Sequence, residues 1–276
     1  MESSTSPIIV TGRGGSGTRL ISDLAQRNNI FLGNELNESE DSLEWKDLIY
    51  ELVVKKFNSI EEAASATKST NHGISNGEKC LSDLIDVAVD VLSKKNWNVG
   101  QKWGWKLPET MLLVPELMSI FPDAKLVHLV RHPVTSSLRR SHKTSRPTSS
   151  VGRSVLKLAY SYVGLDQSSI STDDDYRRNA ITWMYQVDSV SKYAKENLDD
   201  TRYLEVHFED ICNNPEIVQK TLCDFVGIKE LNRQVQDINS DRLGTIDPQD
   251  PRVEEVWKIC GETAKNLGYL SMERAA

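Results

Sequence analysis

PIIVTGRGGSGTR, residues 7–19, decides the fold. Pro7 to Thr11 is a short apolar, β-branched run that reads as a buried strand. Gly12 to Gly17 is a glycine-rich turn, and from Thr18 to Arg27 the residues Leu20, Ile21 and Leu24 fall on one helical face. A strand that turns through glycines into a helix aims the backbone N–H groups of the turn and of the first helical residues at one spot, which suits a phosphate or a sulfate. Two templates fit in part. Gly12-x-Gly14-x-x-Gly17 has the spacing of the dinucleotide fingerprint, with Glu35 near the ribose-binding position. Gly12 and Gly17 also have the spacing of a P-loop, but Thr18 and Arg19 stand where its Lys and Ser/Thr should be, which disfavours an ordinary ATPase or kinase.

Outward from this segment, strands alternate with helices. Trp103–Lys106, Lys125–Val130 (KLVHLV) and Arg202–His207 read as further strands. Tyr176–Glu196, Pro215–Phe225 and Pro251–Ala264 read as helices, and Thr110–Phe121 as a helix interrupted at Pro115. Residues 43–95 are mainly helical around a polar loop at Ser65–Gly77. The alternation predicts one α/β domain over residues 1–276, with a central parallel sheet flanked by helices and a mainly helical insertion at about 40–100.

Composition narrows the function. No apolar run reaches the ~18 residues needed to cross a bilayer. The first residues lack the basic and apolar regions of a signal peptide, so a cytoplasmic protein is expected. Cys80, Cys212, Cys223 and Cys260 are scattered without metal-ligand spacing, so neither a metal site nor a disulfide framework is expected. A net charge of −7 argues against nucleic acid as a partner. Yet Lys125 to Leu165 holds eight Lys/Arg and no Asp or Glu: Lys125, Arg131, Arg139, Arg140, Lys143, Arg146, Arg153 and Lys157. The island is expected on a helix after Arg131-His132-Pro133, and it predicts a focused anion site.

At Ser16-Gly17-Thr18 the chain resembles the sulfotransferases that use 3′-phosphoadenylyl sulfate (PAPS), in the loop that holds the 5′-phosphosulfate. LVHLVRHP, residues 126–133, resembles their strand ending in the arginine of the 3′-phosphate site. VHFEDICNNPEIVQKTLCDFVGI, residues 206–228, is similar to a strand–turn–helix near the end of these enzymes. WGWKLPET, residues 103–110, looks like segments of the bacterial and protein-tyrosine members. The four matches run in order through about four fifths of the chain.

The resemblance implies a P-loop-like α/β fold and metal-free, in-line transfer of a sulfuryl group from PAPS to a hydroxyl or amine of a small acceptor, leaving adenosine 3′,5′-bisphosphate (PAP). Arg13, Gly14, Gly15, Ser16, Gly17, Thr18 and Arg19 would hold the phosphosulfate, and Arg131 the 3′-phosphate. Arg139 stands where the family usually has a serine, so Ser136, Ser137, Ser141 or Arg139 itself completes that site; Lys143 stands at a further phosphate position. Gly15 occupies the place of the family's loop cation, and Arg13 or Arg19 is expected to supply the charge. Lys106 matches a lysine aimed at the transferring group. Glu35 is the leading general base, with Glu38, Asp41 and Glu109 in reserve. Arg242 lies in a segment that would close over the phosphates, and Trp103, Trp105, Trp183 or Trp257 would face the adenine. A nicotinamide oxidoreductase, a P-loop nucleotide kinase and a PAPS-binding protein without transferase activity remain the alternatives.

Overall fold

The computed structural model describes residues 6–65, 75–94, 96–231, 238, 240–243 and 245–270, with side chains described for all of these except 61–65, 75–82 and 242. Four strands, β1 (Ile8–Gly12), β2 (Gly104–Lys106), β3 (Lys125–Val130) and β4 (Tyr203–His207), form one parallel sheet in the order β2-β1-β3-β4. Ile8 pairs with Gly104 on one side and Lys125 on the other, and Val130 pairs with His207. Both faces are covered. Ile9, Leu126 and Val130 belong to one core; Ile8, Val10, Val127 and Leu129 belong to the other. This period of two explains why the strands read as continuous apolar runs rather than as alternating ones.

The second of those cores is closed by α1 (Thr18–Arg27), α8 (Phe208–Asn213) and α9 (Pro215–Val226). The first is closed by α2 (Leu43–Ser65), α3 (Ser75–Ser93), α4 (Val114–Ile120), α6 (Ser150–Tyr162), α7 (Asp175–Asn197) and α10 (Pro251–Asn266). The helical insertion is therefore the α2–α3 pair, seated by Trp45 stacking on Trp105 with ring centroids 4.0 Å apart. Most of the loop expected between these helices, residues 66–74, lies outside the described residues. Pro115 does not interrupt a helix: a 3-10 turn, Pro108–Leu113, precedes α4, and Pro115 sits in the first turn of α4, where a missing N–H costs nothing.

The basic island departs most from expectation. After β3 the chain makes only α5 (Pro133–Ser137), and residues 138–149 then form a loop with a single 3-10 turn at Lys143–Ser145. The cause lies far away in sequence. Asn179 of α7 donates from Nδ2 to the carbonyls of Ser137 (3.0 Å) and Arg139 (3.1 Å), taking acceptors that a continuing helix would use. The chain re-enters a helix at Ser149, whose hydroxyl caps α6 by accepting from Gly152 N at 2.8 Å.

Asn179 is fully buried and also accepts from Arg13 Nη2 at 2.8 Å. Asn179→Ala would deprive three polar groups on two segments of a partner at once, Arg13 Nη2 and the carbonyls of Ser137 and Arg139. It should lower the unfolding free energy in urea by about 2–4 kcal/mol; a loss below about 0.5 kcal/mol would mean that these bonds do not hold the loop.

Candidate functional site

The sheet ends its β1 and β3 strands side by side, with Gly12 paired to Leu129. The two segments that leave these ends, 13–19 and 131–146, form walls of a cleft of about 1020 Å³. Its position at the carboxyl ends of parallel strands is where open α/β sheets place ligands.

The loop is shaped by what crowds it. Gly17 has φ +93°, and a Cβ there would lie 2.4 Å from the Phe208 ring. A Cβ on Gly14 would lie 2.0 Å from the His142 ring. Both positions need glycine, the first for its backbone and for space, the second for space alone. Gly14, Gly15, Gly17 and Arg19 line the cleft. Ser16 is buried, and its hydroxyl has no hydrogen-bond partner. Thr18, also buried, begins α1, whose first N–H groups add to the positive end of the loop.

Arg13 turns inward. It is fully buried beneath the loop and donates to Gly14 O (3.2 Å), Ser145 Oγ (2.9 Å) and Asn179 Oδ1 (2.8 Å), while Nε has no partner. Burial lowers its pKa to about 10. Its Nη1 lies 4.0 Å from where a Gly15 side chain would begin, so the guanidinium stands under the residue that replaces the expected loop cation. Arg19 is exposed on the cleft wall.

Arg131 emerges at the end of β3. Its guanidinium lies 3.9 Å over the Phe208 ring and donates to Thr135 Oγ1 (3.2 Å) and Leu243 O (3.0 Å). Burial, then nearby Arg139, lower its pKa to about 10. Its carbonyl accepts from Trp183 Nε1 at 3.0 Å. Arg139 and Lys143 also line the cleft, together with Arg140 and Arg146. Arg242 ends a 3-10 turn, Ser240–Arg242, whose Asp241 lines the cleft with Leu243; the Arg242 side chain lies outside the described residues.

Lys106 is fully buried and reaches away from the sheet to Asp41 Oδ1 (2.6 Å) and to the carbonyl of Ser39, a residue that lines the cleft. Burial pulls its pKa down against the pull of Asp41. Its ammonium is committed to that turn, so a role at a transferring group requires this pair to part.

Glu35 is not brought to the cleft. It is exposed and lines a separate pocket of about 480 Å³ with Glu44, Asp86 and Asp90. The chain after α1 bridges Phe31 to Trp103 beyond the edge of β2, and this carries Glu35 to the insertion. The ribose-binding carboxylate that a dinucleotide site needs is therefore absent from Glu35's position, although the glycine spacing is met. Glu38 is exposed and Asp41 is paired with Lys106. Among the reserves, Glu109 stands behind the cleft wall. It is buried, its Oε1 accepts from Tyr50 Oη (3.0 Å) and lies 3.6 Å from His142 Nε2, and burial raises its pKa to about 7. His142 lines the cleft, and burial followed by Arg13, Lys143 and Arg146 pushes its pKa down to about 3.

Sequence reasoning missed Tyr50, His142, Asn179 and Phe208. His142 was visible inside the basic island; Tyr50 and Asn179 sit in helices where nothing distinguishes them from packing residues. None of these tryptophans lines the cleft: Trp103, Trp105 and Trp183 are core, Trp257 stacks on His132, and Phe208 presents an aromatic ring to the cleft. Among the described residues no group of His, Cys, Asp and Glu is arranged to hold a metal ion, and no helix is long and apolar enough to cross a membrane.

Known proteins agree with this architecture. A sulfotransferase from Alicyclobacillus acidocaldarius superposes with a TM-score of 0.54 at 12% identity, over 99% of this chain and 98% of that one. The sulfotransferase domain of the curacin biosynthetic pathway gives 0.50 at 16% identity, over 97% and 99%. At such identities the likeness is one of fold. The omega-hydroxy-beta-dihydromenaquinone-9 sulfotransferases Stf3 of Mycobacterium bovis and Mycobacterium tuberculosis are 26% identical over 132 residues, 45% of this chain and 28% of their own length. The model of the Sulfotransferase family matches residues 7–232, from β1 through the loop, Lys106, Arg131 and α9, and so the chain belongs to that family.

Proposed function

We propose that the chain moves a sulfuryl group from PAPS to a hydroxyl or amine of a small acceptor, without a metal, in the cytoplasm. The observation that carries this is the pairing of a phosphate-type loop with Arg131 across one cation-lined cleft, because PAPS bears anions at both ends. The residues fit it: a buried Ser16 hydroxyl without a partner and a buried Arg13 without a carboxylate both lie at the loop. When bound, PAPS supplies the sulfuryl group and a phosphate leaving group.

Backbone N–H groups of the loop, apart from that of Ser16, which donates to Arg13 O, bind the phosphosulfate with the Ser16 and Thr18 hydroxyls. Arg13 places fixed positive charge beneath the loop, and Arg19 adds a second cation from the cleft wall. Arg131, with Arg139 beside it, grips the 3′-phosphate by its planar fork. Glu109, rather than Glu35, takes the acceptor proton, with Tyr50 orienting its carboxyl through Oε1.

In calorimetric titrations, Arg131→Ala should weaken PAP binding by about 2–4 kcal/mol and weaken adenosine 5′-phosphosulfate, which lacks the 3′-phosphate, far less. Equal losses would make Arg131 structural. PAP binding with no transfer to any acceptor in a pooled-metabolite assay would leave a binding protein rather than an enzyme.

The base has its own signature. Because Glu109 titrates near 7 and must be ionised to accept a proton, turnover should rise with pH through about 7 and fall below it. Glu109→Gln should lower kcat by about 10²–10⁴-fold and abolish that limb while sparing PAP affinity. A Gln variant that keeps the rate and the pH profile would return the role to Asp41 or Glu38.

A further inference from the structure

The cleft carries more positive charge than its donor needs. Among the described residues, six cationic side chains line it, Arg19, Arg131, Arg139, Arg140, Lys143 and Arg146, against the single carboxylate of Asp241. Arg13 adds a buried cation at the loop that no carboxylate neutralises. PAPS brings about four negative charges near neutral pH, two on the 3′-phosphate and one on each half of the phosphosulfate. An excess of positive charge remains when the donor is in place, carried largely by the exposed Arg19, Arg139, Arg140 and Lys143, where a second anion can reach it.

The cations also fall into two groups. Arg131 and Arg139 are mutual neighbours at the end of β3, under the Leu243 turn. Lys143 and Arg146 surround His142 at the other end. Lys143 lies 5.1 Å over the Tyr50 ring and 3.4 Å from its hydroxyl, the same hydroxyl that holds Glu109. Arg146 is fixed by two donations to Ser141 O, from Nε at 2.9 Å and from Nη2. Tyr50 belongs to α2, in the helical insertion, which is otherwise not part of the anion-binding loop. Lys143 therefore stands where the acceptor meets the proposed base, and it has no carboxylate partner among the described residues.

We propose that the acceptor is itself an anion: a small hydroxylated molecule bearing a carboxylate, phosphate or sulfate that Lys143 and Arg146 hold while its hydroxyl faces Glu109. This rests on the reading of the cleft as a PAPS-dependent site. The surplus cations then select the acceptor and steer it in, and a neutral hydroxyl compound enters a site whose charge it leaves unmet.

The test uses the purified full chain, first titrated with PAP and then, saturated with PAP, titrated with matched pairs: glycolate, 4-hydroxybenzoate and 4-hydroxyphenylacetate against their primary amides. At least one acid should bind tenfold or more tightly than its amide, and with PAPS the same preference should appear in kcat/KM. Lys143→Gln should shrink that acid-over-amide ratio several-fold, and Lys143→Arg should restore most of it. Amides that bind as well as their acids, or no binding of either class, would overturn the proposal. So would a Lys143→Gln variant that weakens PAP as much as it weakens the acid, since Lys143 would then serve the donor. A chain that binds no PAP would fail the PAPS reading itself, and the acceptor assignment with it.

Discussion

A buried guanidinium holds the site together. Arg13 is removed from water with no carboxylate to pair with, an arrangement that normally costs several kcal/mol. It is tolerated because its hydrogen bonds reach three separate segments: the loop through Gly14 O, the basic segment through Ser145, and α7 through Asn179. Asn179 in turn fixes the carbonyls of Ser137 and Arg139. One charged group thus sets the distance between the two walls of the cleft. A hydrophobic replacement would pack more cheaply, but it would neither tie the walls together nor keep positive charge under Gly15.

The sheet and its first helix were legible because local pattern and tertiary demand agree there. Lys125–Val130 and Thr18–Arg27 match the sequence reading at both ends. The basic segment was misread because the cause of its unwinding, Asn179, lies 40 residues from Arg139 and leaves no local trace. Glu35 was chosen by its spacing from the loop, but spacing does not say where a chain goes after a helix. The Phe31–Trp103 bridge sends it past β2, away from the cleft. Arg131, singled out by the resemblance of residues 126–133, does line the cleft, because the end of β3 opens onto it. The proposed base needed the fold, because Tyr50, Glu109 and His142 come from three different elements.

Burial acts on two neighbouring groups with opposite sign. It raises the Glu109 carboxyl to about 7 and lowers the His142 imidazole to about 3. Both shifts favour the neutral form, and the cations around His142 add to its share. A proton arriving between them therefore rests on the carboxyl. Thr144 supports this order. Its hydroxyl accepts from Gln186 at 3.2 Å and lies 3.3 Å from His142 Nδ1, so it can donate to that nitrogen and leave the ring's proton on Nε2, facing Glu109.

The overall charge of −7 and the cation-lined cleft are two parts of one device. Acidic groups elsewhere keep anions off the general surface, so the field of the cleft is the attractive one that an approaching anion meets. Inside, Arg131 lies over an aromatic face and donates to a backbone carbonyl and a hydroxyl. Arg13 is held in the same manner by a carbonyl, a hydroxyl and an amide. Lys106, by contrast, is paired with a carboxylate, Asp41. The contrast between Arg13 and Lys106 follows from charge: a cation oriented by neutral acceptors keeps its charge available to an incoming anion, whereas a resident carboxylate has already spent it.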